Sequence, residues 1–423
     1  MKKILAMLLA VLMLASMSAA VFAEDIILIA PNPNAAKTVT VQIEGKDGNL
    51  FYGPITVEAG ENVLSAVEKA FVQSGIDYTV AVSPYGGSYV TKAAGLQEGA
   101  FGGYEGWLYY VDGFSPAVSM SLSALQGGEA VVLVYADFDV LVPILEVTRD
   151  HKGLVTLTLT ADVTTYDENW NVTVTREPVA DAVLTVEGET FTTDANGKVL
   201  LSEALSARET VTVQVEKKNA AGLPAVIPFA PDFAVDLTGV EKIMPFADLE
   251  ADAWYTPYAL EMYDLGVVNG LPGGLFGPGG TVTRAQVAKV LFELSGGVSV
   301  NYLMPFSDVD QQAWYGEAVR WCAAMGIAQG ADGKFSPDAP VTRQDLAVML
   351  MRYQENVVKA DLPQTAPADA FADNEQIASY AAEAIYKLQK AGVVNGSEGK
   401  FSPLNTATRG ELCKMLSGLV VFD

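Results

Sequence analysis

The chain has 423 residues, enough for two to four domains with cores of their own rather than a single one. Half of the residues are hydrophobic and 18% are charged, which excludes a disordered or fibrous chain. Acidic residues outnumber basic ones 51 to 26, a formal charge of -25 that disfavours bulk electrostatic binding to nucleic acid or an anionic membrane, and one histidine, His151, with two cysteines, Cys322 and Cys413, removes most zinc, haem and iron-sulfur frameworks.

Residues 1–23 join Lys2-Lys3, an apolar run from Ile4 to Met13 and small residues up to Ala23, the pattern of a secretory signal peptide. The run is shorter than the roughly 20 residues that span a bilayer, so export without a retained membrane anchor is expected. Few cysteines in an exported chain mean cores without a disulfide framework.

From Lys37, Val39, Val41 and Ile43 alternate as a half-buried strand, with a hairpin partner at Ile55 and Val57. Asn62 is placed to cap a helix whose Leu64, Val67 and Phe71 share a face and whose end is Gly75. Further strands are expected at Tyr78–Val82, Trp107–Val111 and Val131–Tyr135, giving an α+β, β-grasp-like domain over 37–138. Trp107, Tyr109 and Tyr110 read either as strand residues alternating between core and surface or as a ligand platform, the first being favoured. The glycine-rich lead-in Gly102–Gly106 has no Lys or Ser/Thr at phosphate-loop spacing, which argues against a nucleotide site. The segments Glu58–Leu64, Gly106–Gly113 and Leu125–Val131 resemble a bacterial domain of unknown function similar to the C-terminal β-domain of transcobalamin. The resemblance implies a β-grasp fold; a corrinoid-like ligand follows from it only by analogy, since no ligand-contacting residues match one by one.

Over 140–237, short alternating strands at Leu154–Leu159, Val172–Val174, Ala182–Val186 and Val211–Val215 are separated by turn residues, the pattern of a β-sandwich. The run through Val186, Gly188 and Thr193-Asp-Ala-Asn-Gly-Lys198 resembles prealbumin-like and Ig-like spacer modules of bacterial surface proteins. His151 falls in a loop with no second His or Cys nearby, so no metal site is expected. Gly222–Asp236, with Pro224, Pro228 and Pro231, reads as a linker.

The remaining residues are three copies of one unit, over 244–298, 304–353 and 369–423. Phe246 and Asp248, Trp254-Tyr255, Gly266 and Gly270, Phe276 and Pro278, and Thr283-Arg284 in the first copy recur as Phe306 and Asp308, Trp314-Tyr315, Gly326 and Gly330, Phe335 and Pro337, and Thr342-Arg343 in the second. In the third they are Phe371 and Asp373, Tyr380 in place of Trp, Gly392 and Gly396, Phe401 and Pro403, and Thr408-Arg409. Each unit reads as helix, loop, helix. Trp254, Tyr258, Met262 and Leu265 suggest one apolar stripe on the first helix, and Thr with Gln286, Asp345 or Glu411 three residues on signals a capping box or its relative on the second. Such pairs cannot bury their own apolar faces, so an all-α bundle of three copies about a pseudo-threefold axis is expected. Cys322 and Cys413 fall at core positions of the repeat and are expected as buried free thiols.

Arg284, Arg343 and Arg409 each sit in a first helical turn, where the macrodipole opposes a cation. Either each pairs with its own repeat's Asp248, Asp308 or Asp373, or each joins free backbone N–H groups in receiving an anionic ligand; the two are compatible. The repeated motifs resemble three S-layer homology domains, which in Gram-positive and related bacteria hold surface proteins on secondary cell-wall polysaccharide, often through a pyruvyl ketal. The resemblance implies that Arg284, Arg343 and Arg409 bind the acidic sugar, that Asp248, Asp308 and Asp373 orient the site, and that Trp254 and Trp314 lie against a sugar face, core packing being the alternative for the Trp pair. The chain departs from the family's Thr-Arg-Ala-Glu at Gln286, Gln344, Asp345 and Gly410. Residues 353–370 contain Leu362-Pro-Gln-Thr-Ala366, similar to a sortase signal but without its Gly and apolar tail, and read as a linker.

The expected protein is therefore a non-enzymatic surface protein with no catalytic residues, metal or cofactor. Its expected partner is wall polysaccharide, with an unidentified ligand for the N-terminal domain. A wall-anchored hydrolase or a small-molecule receptor are the alternatives, since two carboxylates across a cleft suffice for a glycosidase.

Overall fold

The computed structural model describes residues 37–84, 86–167, 171–365, 367 and 369–419; the segment expected as a signal peptide lies outside them. The chain divides into two compact units, one ending at Ile243 and one beginning at Met244. Among the described residues no helix is long and apolar enough to cross a membrane.

The first unit is rich in sheet. β1 (Lys37–Gly45), β2 (Gly48–Val57), α1 (Val63–Ser74), β3 (Tyr78–Val82), β4 (Ser88–Ala93), β5 (Leu96–Gln97), β6 (Gly106–Val111) and β7 (Ala130–Ala136) come first. The main sheet has the order β2-β1-β7-β6, with β1 and β7 parallel and the other neighbours antiparallel. Asn62 accepts from Ser65 N at 3.0 Å and Gly75 ends α1 at φ 67°, so both caps lie where the sequence puts them. Val67 and Phe71 on α1 share a core with Val41, Ile43 and Leu133 of the sheet, each fully buried side chain contributing about 1.5–3 kcal/mol. The strand expected as half-buried is buried on both faces: Gln42 and Glu44 are also covered. Gln42 Nε2 donates to Glu44 Oε1 (2.9 Å) and to the Pro228 carbonyl (3.2 Å), and Asn49 donates to Glu44. The alternation in β1 therefore marks a hydrogen-bonded face and not a wet one.

Next come β8 (Pro143–Asp150), β9 (Val155–Tyr166), β10 (Val172–Pro178), β11 (Val183–Val186), β12 (Glu189–Thr192), β13 (Lys198–Leu200), α2 (Glu203–Ser206), β14 (Thr210–Glu216), β15 (Ala234–Asp236) and β16 (Lys242–Ile243). They form two sheets, β10-β9-β8-β16 with β13 beside β9, and β12-β11-β14-β15. Val155, Leu157 and Leu159 of the first face Leu184, Val186, Val211 and Val213 of the second in one core. The expected linker at 222–236 is a packed strap. Leu223 enters the core of the first sheet and Val226 that between the two later sheets, while Ile227 packs with Tyr110, Val134 and Val140. Leu141 N donates to Ala225 O and Ile227 N to Leu141 O. Residues 37–138 and 140–237 are accordingly one compact unit, because apolar residues between the prolines have a sheet on either side to bury against.

The second unit is helical: α3 (Thr256–Asp264), α4 (Arg284–Leu294), α5 (Gly316–Ala324), α6 (Arg343–Tyr353), α7 (Ser379–Lys390) and α8 (Arg409–Ser417). The first helix of each repeat packs on the second helix of the repeat before it, as α4–α5 and α6–α7, and α8 closes on α3. Between the repeats Val282 N donates to Ala407 O, Ala407 N to Val341 O and Val341 N to Val282 O, a closed triangle of backbone bonds. One core runs through all three copies and includes fully buried Phe276, Phe335 and Phe401 with Cys322 and Cys413, both free thiols. Burial pushes the Cys413 thiol up to about 12 and raises Cys322 further. The stripe expected on the first helix is misplaced. Trp254 precedes α3 and is exposed, Leu265 is exposed, and the inward residues are Ala259 and Met262. The expected linker begins with a π-helical turn over Gln354–Val358, and Leu362 packs on the core.

Candidate functional site

Each of the three arginines reaches into a neighbouring repeat. Arg284 Nε donates to Phe335 O (2.8 Å), Arg343 Nε to Phe401 O (2.9 Å) and Arg409 Nε to Phe276 O (2.7 Å). Each guanidinium also stands 4.7–5.1 Å over the ring of the same Phe. These cation–π contacts with a buried ring, added to the hydrogen bond, account for a cation at the start of a helix.

Among the described residues no ion pair joins an arginine to the Asp of its own repeat, so that expectation is corrected. Asp248 instead accepts from Phe276 N (2.6 Å) and Gly277 N (2.7 Å), Asp308 from Phe335 N and Ser336 N, and Asp373 from Phe401 N and Ser402 N. Each Asp thus fixes the Phe whose carbonyl receives the arginine of the preceding repeat. The orienting role is present, but across the seam. Burial opposes the charge on Asp248 and Asp308, yet the backbone donors, together with a nearby cation, Arg409 or Lys334, outweigh it and hold both carboxyls below their ordinary value.

The helix starts offer no free N–H groups to an anion, a second correction. Arg284 N and Ala285 N donate to Ala339 O and Pro337 O, Arg343 N and Gln344 N to Asn405 O and Pro403 O, and Arg409 N and Gly410 N to Gly280 O and Pro278 O. The third N–H goes to the capping threonine, with complete boxes at Thr283/Gln286 and Thr408/Glu411. Asp345, one methylene shorter, accepts from Thr342 Oγ1 (2.7 Å) instead.

Trp254 and Trp314 are 54% and 59% exposed and Tyr380, their counterpart, is 58% exposed, so the core alternative for these aromatics fails. Each Trp meets the adjacent half-buried Tyr edge-on, Tyr255 or Tyr315. Trp254 carries Lys414 of α8 over its ring at 5.8 Å, a cation the sequence reading missed although it lies five residues after Arg409. Each repeat thus carries a guanidinium set by its neighbour and an exposed aromatic, Trp254, Trp314 or Tyr380, residue types suited to an anionic sugar.

The N-terminal aromatics do not form a platform. Trp107 is buried, donates to Leu96 O (3.1 Å) and packs edge-on to Tyr135, while Tyr109 donates to Val118 O on the same face of β6. Tyr110 points to the other face, where burial pushes its hydroxyl up to about 12. The glycine-rich lead-in is closed to external anions by its own acid, since buried Glu105 accepts from Phe101 N and Gly103 N. Among the described residues no group of three His, Cys, Asp or Glu is placed to hold a metal ion.

Against known protein families, the S-layer homology domain model matches residues 245–288, 305–347 and 370–413. The helical unit therefore carries three S-layer homology domains, and the chain is a cell-surface protein. It is similar to a surface-layer 125 kDa protein of Lysinibacillus sphaericus (35% identity, 26% of this chain and 10% of that protein) and to the S-layer protein sap of Bacillus anthracis (25% identity, 41% and 21%). It is also similar to an endoglucanase of Bacillus sp. strain KSM-635 (29% identity, 42% and 19%), in the repeat region. The chain thus spans about a fifth or less of the length of these relatives. A solved structure of haptocorrin in complex with Cbi aligns at 19% identity over 28% of each chain, with a TM-score of 0.22 that supports no conclusion about fold or ligand.

Proposed function

We propose that the protein is held non-covalently on the secondary polysaccharide of a bacterial cell wall by its three repeats, arranged about a pseudo-threefold axis, and that it displays the sheet-rich unit from there. The observation that carries this reading is the recurrence, in all three repeats, of an arginine set by a neighbouring repeat and of an exposed aromatic near the start of the first helix. A carboxylate such as that of a pyruvyl ketal would pair with the guanidinium while the sugar ring lies on the aromatic. We read residues 37–138 as β-grasp-like and transcobalamin-like and 140–237 as an Ig-like or prealbumin-like sandwich, together a non-enzymatic display module exported by the signal peptide. Similarity to an endoglucanase ends with the repeat region and carries no activity over to residues 37–243. The test is co-sedimentation of the full chain with purified walls before and after removal of the secondary polymer. Binding lost on stripped walls supports the reading, and undiminished binding refutes it.

A further inference from the structure

We propose that the cleft between the β1–β2 turn, the end of β14 and the strap at 222–236 is a binding site for a small primary ammonium compound, the size of an amino acid or an amino sugar, whose –NH3+ group pairs with Glu44. The site lies wholly within the sheet-rich unit and does not depend on the wall-binding reading.

The cleft has a volume of about 230 Å3, below the roughly 300–1,000 Å3 of sites for drug-sized ligands. Pro228, Phe229 and Pro231 give it an apolar wall, and Phe229 is held in place by stacking on Phe233, ring centres 4.4 Å apart. Glu44 lines the cleft although it is only 3% exposed. Its Oε1 accepts from Gln42 (2.9 Å) and Asn49 (2.6 Å), while no described residue donates to Oε2. The two amides lining the cleft are oriented by their neighbours. Asn49 spends its NH2 group on Glu44 and Phe51 O, and Gln214 spends its own on Ala230 O and Pro231 O, which leaves both amide oxygens as acceptors. One carboxylate oxygen and two amide oxygens match in number the three donors of a primary ammonium.

The cations of the cleft are committed elsewhere. Lys217 donates to Ala180 O (2.6 Å), Lys218 pairs with Glu216 (3.2 Å), and Lys46 lies over the Phe101 ring at 4.5 Å. Glu44 is therefore a buried carboxylate with hydrogen bonds but no counter-charge, and an arriving cation offsets the cost of that desolvation. Burial raises its carboxyl above the ordinary value, against the pull of the Asn49 and Gln42 bonds. A metal ion is a poor fit, because among the described residues no group of three His, Cys, Asp or Glu is placed to hold one.

The experiment is calorimetric titration of the full chain with cadaverine and with glucosamine, and with N-acetylglucosamine, which keeps the sugar ring but lacks the ammonium. Binding of cadaverine alone assigns an aliphatic amine, binding of glucosamine alone an amino sugar, and either supports the site. Glu44→Gln keeps an acceptor for Gln42 and Asn49, removes the charge, and should weaken binding about 10-fold or more, the size of a charge-assisted bond. Asp47→Asn, on the exposed turn, should change affinity by less than about 2-fold. Because ligand and proton compete for Glu44, affinity should fall about 10-fold for each pH unit below its raised value. The other charged groups lining the cleft are Asp47, Glu216, Lys46, Lys217 and Lys218, so the same profile in Asp47→Asn and its loss in Glu44→Gln assign the titration. Absence of binding by both amines, equal binding of glucosamine and its N-acetyl form, or a folded Glu44→Gln variant that binds like the parent overturns the proposal. Should Glu44→Gln not fold, the N-acetyl probe and the pH profile of the parent chain decide it.

Discussion

Replacing Asp248 with Ala removes the acceptor of two short hydrogen bonds, from Phe276 N and Gly277 N. A donor stranded next to a fully buried phenyl ring costs about 1–3 kcal/mol, and the two bonds are charge-assisted, so a loss on the order of 3–5 kcal/mol for the helical unit is expected. Asn should recover part of this, keeping one acceptor but turning an NH2 group towards the other donor. The depressed carboxyl sets a pH dependence: the stabilisation is complete above the unfolded value of about 4 and disappears as pH falls through the lower folded value. Parent and variant should therefore converge in acid. Urea unfolding between pH 2.5 and 7, followed by helical circular dichroism so that the sheet-rich unit is separated, measures both effects. A loss under about 1 kcal/mol at pH 7, or a constant gap between parent and variant down to pH 2.5, would refute the assignment of Asp248 as the clamp of the Phe276 loop. Because Phe276 O receives Arg409, the same variant should also weaken wall binding.

Trp254→Ala and Trp314→Ala remove exposed rings and should lower stability by less than about 1 kcal/mol while reducing co-sedimentation with walls; stability losses above about 3 kcal/mol would return these residues to the core. Cys322 and Cys413, buried and with raised thiol values, should resist a thiol reagent at pH 8 in the folded chain and react fully in denaturant, as mass spectrometry would record. Gly330→Ala should destabilise the helical unit by more than about 2 kcal/mol, since its new Cβ would lie 2.3 Å from Lys334 O and 2.6 Å from the Phe306 ring; Gly333→Ala, with the same sign of φ but open space, should cost only about 1 kcal/mol.

The repeat and its caps were legible in the sequence because their signals are local. A threonine bonds an amide three residues away, and a glycine is required where the backbone turns left-handed. The cysteines were placed in the core by alignment with apolar counterparts alone. Three things had no local signal. Arg284 meets a carbonyl 51 residues on and Arg409 one 133 residues back, so the sequence showed a misplaced cation but not its partner. Trp254 followed the helical period of α3, yet the helix begins after it and the ring stays exposed. Gln42 and Glu44, and the residues between the prolines of 222–236, read as polar surface and linker until a second layer covers them. Hydrophobic period reports which side of an element avoids water. Which neighbour covers that side, and which charge a partner cancels, is decided only when segments far apart in the chain are brought together.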